Sequence, residues 1–158
     1  MSPKNVDVRF ITLFLDSFQS VFSQVFDCEI RKGSVTILGR KGRDRAIAVL
    51  AGVAGDHYSG TVVFWMQDHT ARKMVEYLDP TATDFHETLY EGLGEVINIV
   101  SGNAIQHLSR NGIALTITSP SLVVGDSLEI HLLNQNAYSI TMLTPFGEIE
   151  IDIAIKRM

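Results

Sequence analysis

The sequence lacks several features that would place it in a common functional class. It contains a single cysteine, Cys28, so no disulfide can form within the chain, and we interpret this residue as a small buried apolar group. Its longest uncharged apolar run, residues 46–55, is too short to span a bilayer. Asp7 and Arg9 interrupt the N-terminal stretch that a secretion signal would need. These absences predict a soluble protein of the cytoplasm with no membrane segment.

Nucleic acids and metal ions are poor candidate ligands for this chain. Acidic residues outnumber basic ones by 18 to 13, which gives a formal net charge of −5, whereas phosphate binding needs a basic surface. The one basic cluster is GRKGRDR, residues 39–45, whose glycines favour a solvated hairpin turn; the alternative is an electrostatic contact with an acidic protein. The five histidines match no metal-ligand spacing such as HExxH, so we expect no metal site.

The order of periodic segments predicts one α+β domain over residues 1–158. Apolar residues at three- and four-residue steps predict a long helix over residues 8–26 and a second from near Asp84 to Asn111 and Gly112, with a shorter helix between them. Strands are predicted at residues 29–38, 46–55, 58–67, 114–124, 127–133, 137–143 and 148–156. Short turns join the last three strands, so we expect these strands to pair antiparallel. The last of them, EIEIDIAIK, should have one buried face and one solvent-exposed face. Long helices packed on a largely antiparallel sheet are therefore predicted.

The second long helix contains an unusual segment, EGLGEVINIVSGN, residues 91–103. Its three glycines, Gly92, Gly94 and Gly102, each cost about 1 kcal/mol relative to alanine in a helix interior. The spacing of apolar residues predicts a buried stripe along one face of this helix, formed by Leu89, Leu93, Val96, Val100 and Ala104. The opposite face, which should meet water, carries Glu91, Glu95, Asn98 and Gly102.

Close packing explains some helix glycines, and Gly92, which is nearest to the buried stripe, fits that explanation. For Gly94 and Gly102 we favour a functional explanation, in which the exposed face must admit another surface closely. Glu95 and Asn98 would then be its protruding polar groups. A glutamate and an asparagine at this spacing do not by themselves specify a reaction, so the wider pattern has to decide.

The run LGEVINIVSGNAIQHLSRNGIALTITSPSLVVGD resembles the signature region of the CheX-type chemotaxis phosphatases and their CheC relatives. The pattern of that family is a glutamate, two residues, an asparagine and a later proline, which Glu95, Asn98 and Pro120 match. Glu91 stands where the family usually has aspartate or serine, a departure that leaves the role of this position open. The predicted order of elements also agrees with the CheC-like fold of the family.

The resemblance implies a bacterial enzyme of chemotaxis that hydrolyses the aspartyl phosphate of a CheY-type response regulator. The receiver domain of that partner would supply Mg²⁺ and a lysine, so this chain would need no cofactor of its own. Asn98 would position the attacking water through its amide, and Glu95 would contact the receiver's lysine. Glu91, Gly94 and Gly102 would belong to the surface that binds the partner.

Further expectations follow from the family. CheX-type members form homodimers, and the C-terminal strands could supply a sheet edge for that pairing. CheC relatives carry two motifs; the nearest equivalent here is Asp16 with Gln19 in the first helix, where no flanking glycine opens the face, so we expect one active motif. The alternative to an enzyme is a non-catalytic module of two-component signalling that binds a receiver or adaptor through the same face. A structural subunit of a larger signalling or motor assembly is a third interpretation.

Overall fold

Three helices pack on one face of an antiparallel sheet. The computed structural model describes residues 8–37, 42–43, 46–81, 86–132 and 137–158. The helices are α1 (Val8–Phe26), α2 (Asp68–Leu78) and α3 (His86–Arg110). The strands are β1 (Arg31–Ile37), β2 (Gly42–Arg43), β3 (Ala46–Ala54), β4 (Tyr58–Gln67), β5 (Thr116–Ile117), β6 (Ser121–Gly125), β7 (Leu128–Glu129), β8 (Tyr138–Thr144) and β9 (Gly147–Arg157). The predicted α+β class, with helices on a largely antiparallel sheet, is confirmed.

The main sheet follows the order β1, β8, β9, β4 and β3, and both β5 and β6 pair with the outer side of β3. Among the described strands every pair is antiparallel. The β8–β9 pairing confirms the hairpin predicted around Pro145, where Gly147 has a φ of 135° that a glycine adopts without strain. The pairing predicted for residues 127–133 is wrong, because β7 pairs with β2. The turn at residues 134–136 lies outside the described residues.

The sheet order limits which C-terminal strands could pair in a dimer. Strands β8 and β9 each have a neighbour on both sides and offer no free edge, whereas β5 and β6 lie at an edge. In the described part of the sheet the edges are β1 on one side and β5 with β6 on the other. Of the basic segment only Gly42 and Arg43 are described; because three strands separate β1 from β3, the segment is not a hairpin turn between neighbouring strands.

The main core lies between the sheet and the helices. Helix α1 contributes five phenylalanines at four-residue intervals, each at most 1% exposed: Phe10, Phe14, Phe18, Phe22 and Phe26. Alternate strand residues such as Ile47, Phe64 and Ile151 point into the same cluster. Burying side chains of this size contributes about 1.5–3 kcal/mol each, which explains why residues 8–26 form the predicted helix. None of the described helices has both the length and the apolar character needed to cross a membrane.

The opposite face of the sheet is only partly open to water. A small second core forms there from Ala46, Ala48, Val63 and Trp65. Apolar residues of segment 128–132 pack against it. The indole Nε1 of Trp65 donates a hydrogen bond to Oδ2 of Asp152 at 2.7 Å. The predicted solvent-exposed face of β9 is therefore wrong at the centre of the strand, where Asp152 and Ala154 are buried.

Helix α3 is fixed by contacts with both other helices. In its first half Gly92 lies against α2, since a Cβ at this position would stand 2.8 Å from Cγ1 of Val75. In its last turns His107 faces α1, where the Oγ of Ser17 lies 2.6 Å from Nδ1 of the imidazole. The predicted packing role of Gly92 is confirmed, and α3 has a defined rotation about its own axis.

The C-terminal end of α3 forms as predicted. Gly112 has a φ of 86°, a left-handed conformation that favours glycine, and it ends the helix. The side-chain Nδ2 of Asn111 donates a hydrogen bond to the carbonyl of His107 at 2.9 Å, which satisfies one of the last helix carbonyls. The predicted start near Asp84 lies outside the described residues.

Candidate functional site

The two faces of α3 differ sharply in burial. Every residue of the predicted apolar stripe is at most 4% exposed: Leu89, Leu93, Val96, Val100 and Ala104. On the other side Glu91, Glu95 and Asn98 are exposed, and Gly94 and Gly102 are partly exposed. We call these five residues the open strip of α3. The sequence-predicted site residues therefore lie together along one ridge that faces water.

The two glycines of the open strip have no packing role within the described part of the molecule. A Cβ built at Gly94 or Gly102 would meet no heavy atom within 4 Å, in contrast to Gly92. Each glycine lowers helix stability by about 1 kcal/mol relative to alanine. Glycines are favoured at these positions if another molecule must approach the helix closely, because any side chain here would protrude from the ridge.

Pro120 lies near Asn98 although it follows that residue by 22 positions in the sequence. A shallow depression next to α3 is lined by Ile97, Asn98 and Ser101 of the helix, by Ala51 and Ile117 of the sheet, and by Thr118 and Pro120 of the connection between β5 and β6. The chain between β5 and β6 is fixed to β3: the N–H of Gly52 donates to Oγ1 of Thr118 at 2.8 Å, and the N–H of Thr118 donates to the Gly52 carbonyl at 2.9 Å. Thr118 and Pro120 thus lie along one side of the depression and Asn98 along the other.

The polar groups of the open strip face outward. Within the described part of the chain no ion pair engages Glu91 or Glu95, and the carboxamide of Asn98 has no hydrogen-bond partner. A carboxamide offers an acceptor, Oδ1, and two donor hydrogens on Nδ2, and can orient a water molecule without taking up a proton. Glu95, one helical turn before Asn98, presents a carboxylate that can bind a cationic group. The arrangement places a group that can orient water one helical turn from a group that can bind a cation.

Sequence reasoning missed Ser101. This serine follows Asn98 by one helical turn and lines the same depression. It is 2% exposed, and its hydroxyl has no hydrogen-bond partner among the described residues. The signal in the sequence was a polar residue next to the predicted apolar stripe, but its environment depends on the position of residues 117–120.

The second acid–amide pair, on α1, is tied to its own subunit. Nζ of Lys32 lies 2.5 Å from Oδ1 of Asp16. Nε2 of Gln19 donates a hydrogen bond to the carbonyl of Ile30 at 2.6 Å. Both side chains therefore hold α1 against the start of β1 and do not present a copy of the open strip.

Other polar groups of the described chain lie apart from the open strip. No group of three or more His, Cys, Asp or Glu side chains there is arranged to hold a metal ion. A cavity of about 450 Å³, lined by residues that include Trp65, His69 and Glu150, contains no residue of the open strip. Burial, with a smaller contribution from the charge of Asp27, raises the pKa of the Cys28 thiol, which disfavours the thiolate that a nucleophile needs. Small-molecule enzymes use concave sites, so a convex ridge fits a macromolecular partner better.

The fold is that of the CheC-like proteins. The CheC-like superfamily protein from Shewanella sp. PV-4 superposes with a TM-score of 0.79 at 20% identity, covering 96% of this chain and 99% of that one. The chemotaxis protein CheX from Vibrio vulnificus has a TM-score of 0.80 at 19% identity, with 94% and 99% covered. At these identities the similarity establishes the fold.

Within this class the chain belongs to the CheX family. The family model described as chemotaxis phosphatase CheX matches residues 47–143, which include the whole open strip and Pro120. A chain of the CheX–CheY–BeF3–Mg²⁺ complex from Borrelia burgdorferi is 27% identical, with a TM-score of 0.74 and coverage of 96% of this chain and 99% of that one. None of the curated proteins matches this chain. The family resemblance predicted from the sequence is confirmed.

Proposed function

We propose that this chain is a cytoplasmic phosphatase that hydrolyses the aspartyl phosphate of a CheY-like response regulator. The observation that carries the proposal is the exposed Asn98 carboxamide on a helical ridge whose glycines, Gly94 and Gly102, have open space above them. Membership of the CheX family and the similarity to a chain of a CheX–CheY complex support a receiver as the partner. Chemotaxis is the process that the family description suggests.

Asn98 positions the water that attacks phosphorus. Oδ1 of its carboxamide accepts a hydrogen bond from that water and leaves a lone pair of the water oxygen directed at the phosphorus atom. The water oxygen forms the new P–O bond, the bond to the receiver's aspartate breaks, and inorganic phosphate and a free carboxylate remain. Positioning of this kind is sensitive to displacements of about 1 Å, which explains why the ridge must lie directly against the receiver.

Glu95 docks the receiver rather than taking a proton. Its carboxylate lies one turn from Asn98 and meets the lysine that a receiver carries beside its phosphorylation site. The receiver would hold Mg²⁺, which would offset the charge of the phosphoryl group, and the open strip would contribute no ligand to it. Glu91, Gly94 and Gly102 complete the contact surface around these two groups.

The chain acts as a homodimer in this proposal, with one open strip on each subunit. A dimer built by strand pairing would use β1 or the β5–β6 edge, because β9 is enclosed by its neighbours. Strand β1 carries Val35, which is 58% exposed. Both candidate edges belong to the described sheet. Sedimentation of variants altered at β1 or at the β5–β6 edge would show which edge forms the dimer.

Release of inorganic phosphate from a panel of phosphorylated CheY-like receivers tests the enzymatic assignment. We expect this protein to accelerate release from at least one receiver well above the rate at which that receiver dephosphorylates alone. The alternative function is a non-catalytic module that binds the receiver through the same strip. Tight binding to a receiver held in its phosphoryl-like state by BeF3⁻, without faster phosphate release from the same receiver, would favour that module.

A further inference from the structure

Ser101 is a buried polar residue whose hydroxyl lacks a hydrogen bond. Its side chain is 2% exposed and its Oγ forms no hydrogen bond with any described residue. A serine inside a helix ordinarily returns its hydroxyl to the carbonyl three or four residues earlier, and this one does not. A buried hydroxyl without a partner destabilises the fold, so such a group calls for a partner that the free subunit lacks.

Two other polar side chains line the depression with Ser101, and the rest of its lining is apolar. Thr118 accepts the N–H of Gly52 through its hydroxyl and forms no hydrogen bond with Ser101. The carboxamide of Asn98 has no hydrogen-bond partner in the described part of the chain. Residues three positions apart share a side of the helix, with Cβ atoms about 5–6 Å apart. Because helical side chains lean toward the N-terminus, the hydroxyl of Ser101 lies over the turn that carries Asn98.

We propose that Ser101 is a positioning residue for Asn98. When the open strip engages a receiver, Nδ2 of Asn98 donates a hydrogen bond to Oγ of Ser101, and the amide oxygen then points outward. This orientation matters because the two ends of a carboxamide are similar in shape, and a flipped amide would present donors to a water that needs an acceptor. The inference rests on the phosphatase function proposed above.

The test compares Ser101→Ala with the unsubstituted protein in steady-state phosphate release. We expect kcat to fall about tenfold, the effect of losing one orienting hydrogen bond, with KM unchanged because the binding surface is intact. Thermal unfolding supplies a second measurement. Since the hydroxyl has no partner in the free subunit, alanine should raise Tm by about 2–4 °C. A serine kept only for structure would give a lower Tm.

Two further variants make the test specific. In the Asn98→Ala background, Ser101→Ala should cause no additional loss, because its effect passes through the missing carboxamide. Ser109→Ala, at an exposed serine of the same helix, should leave kcat and Tm unchanged. These controls separate a coupling to Asn98 from a general effect of shortening a serine on α3.

The outcomes separate the two proposals. A protein that accelerates phosphate release from no receiver overturns the phosphatase assignment and the role of Ser101 with it. An active protein whose Ser101→Ala variant keeps full kcat, or loses activity through KM or through a lower Tm, overturns the role of Ser101 alone. If Ser101→Ala lowers kcat equally in the Asn98→Ala background, the role of Ser101 as a positioning residue is also contradicted.

Discussion

Helices α1 and α3 each carry an acid and an amide three residues apart, yet only one pair is available to a partner. On α1 the two groups are held by Lys32 and by the carbonyl of Ile30. On α3 Glu95 and Asn98 project from a ridge whose neighbouring glycines leave open space. The comparison teaches that spacing along a helix does not make a site. What decides is whether the groups are free of the subunit and whether another surface can reach them.

The largest effect should come from Asn98→Ala. We expect phosphate release to fall by about 100-fold or more, because the water loses the acceptor that aligns it. Affinity for a receiver in its BeF3⁻-bound state should change little, since most of the contact surface remains. Single-turnover phosphate release and a binding titration measure the two quantities separately. Asn103→Ala, at an exposed asparagine of α3 outside the open strip, is the matched control; equal losses in both variants would remove the special status of Asn98.

Reversing the charge of Glu95 should weaken docking. In Glu95→Lys a second cation would face the receiver's lysine, and we expect affinity to fall about tenfold or more. Activity at saturating receiver should recover most of its value. Asp16→Lys tests the same change on α1, where the acid engages only an exposed ion pair worth about 1 kcal/mol or less. If Asp16→Lys weakened receiver binding as much as Glu95→Lys, the distinction between the two helices would be wrong.

A side chain on the open strip should block approach while it stabilises the helix. In Gly102→Leu the leucine would lean toward Asn98, and we expect phosphate release at subsaturating receiver to fall about tenfold. Tm should rise, because the replaced glycine costs about 1 kcal/mol and has no atom within 4 Å of its missing Cβ.

Gly92→Ala is the opposite case on the same helix. Its new methyl would stand 2.8 Å from Cγ1 of Val75, so Tm should fall. Thermal unfolding of the two variants side by side checks the contrast. A stable Gly92→Ala protein, or an unhindered Gly102→Leu enzyme, would contradict the division of the glycines into packing and functional ones.

Periodicity alone was sufficient to predict much of this fold. The phenylalanine row of residues 8–26 and the run of residues 58–67 gave boundaries that agree with α1 and β4. The same reasoning placed Glu95 and Asn98 on the exposed side of α3. These successes share a cause, since each depends on local spacing and on which face of an element meets the core.

The features that could not be predicted depend on contacts between distant segments. The strand predicted at residues 114–124 is interrupted, because β3 pairs Val53 with Ile117 but Leu50 with Ser121, which leaves one extra residue on the outer chain. Pro120, which has no N–H to give to a ladder, lies in that interruption. Ser101, whose buried hydroxyl has no partner among the described residues, lines a depression with Ile117, Thr118 and Pro120, so its surroundings depend on this irregular segment.

The smallest effect should come from Gln19→Ala on α1. Its amide donates to the Ile30 carbonyl at 2.6 Å, so removing it should lower the free energy of unfolding by about 1 kcal/mol and Tm by about 2–4 °C. Phosphate release should not change, because this amide has a structural partner and no route to a receiver. Gln24→Ala, at an exposed glutamine of the same helix, should leave both quantities unaltered. Loss of activity in a folded Gln19→Ala protein would instead mean that α1 carries a second functional site.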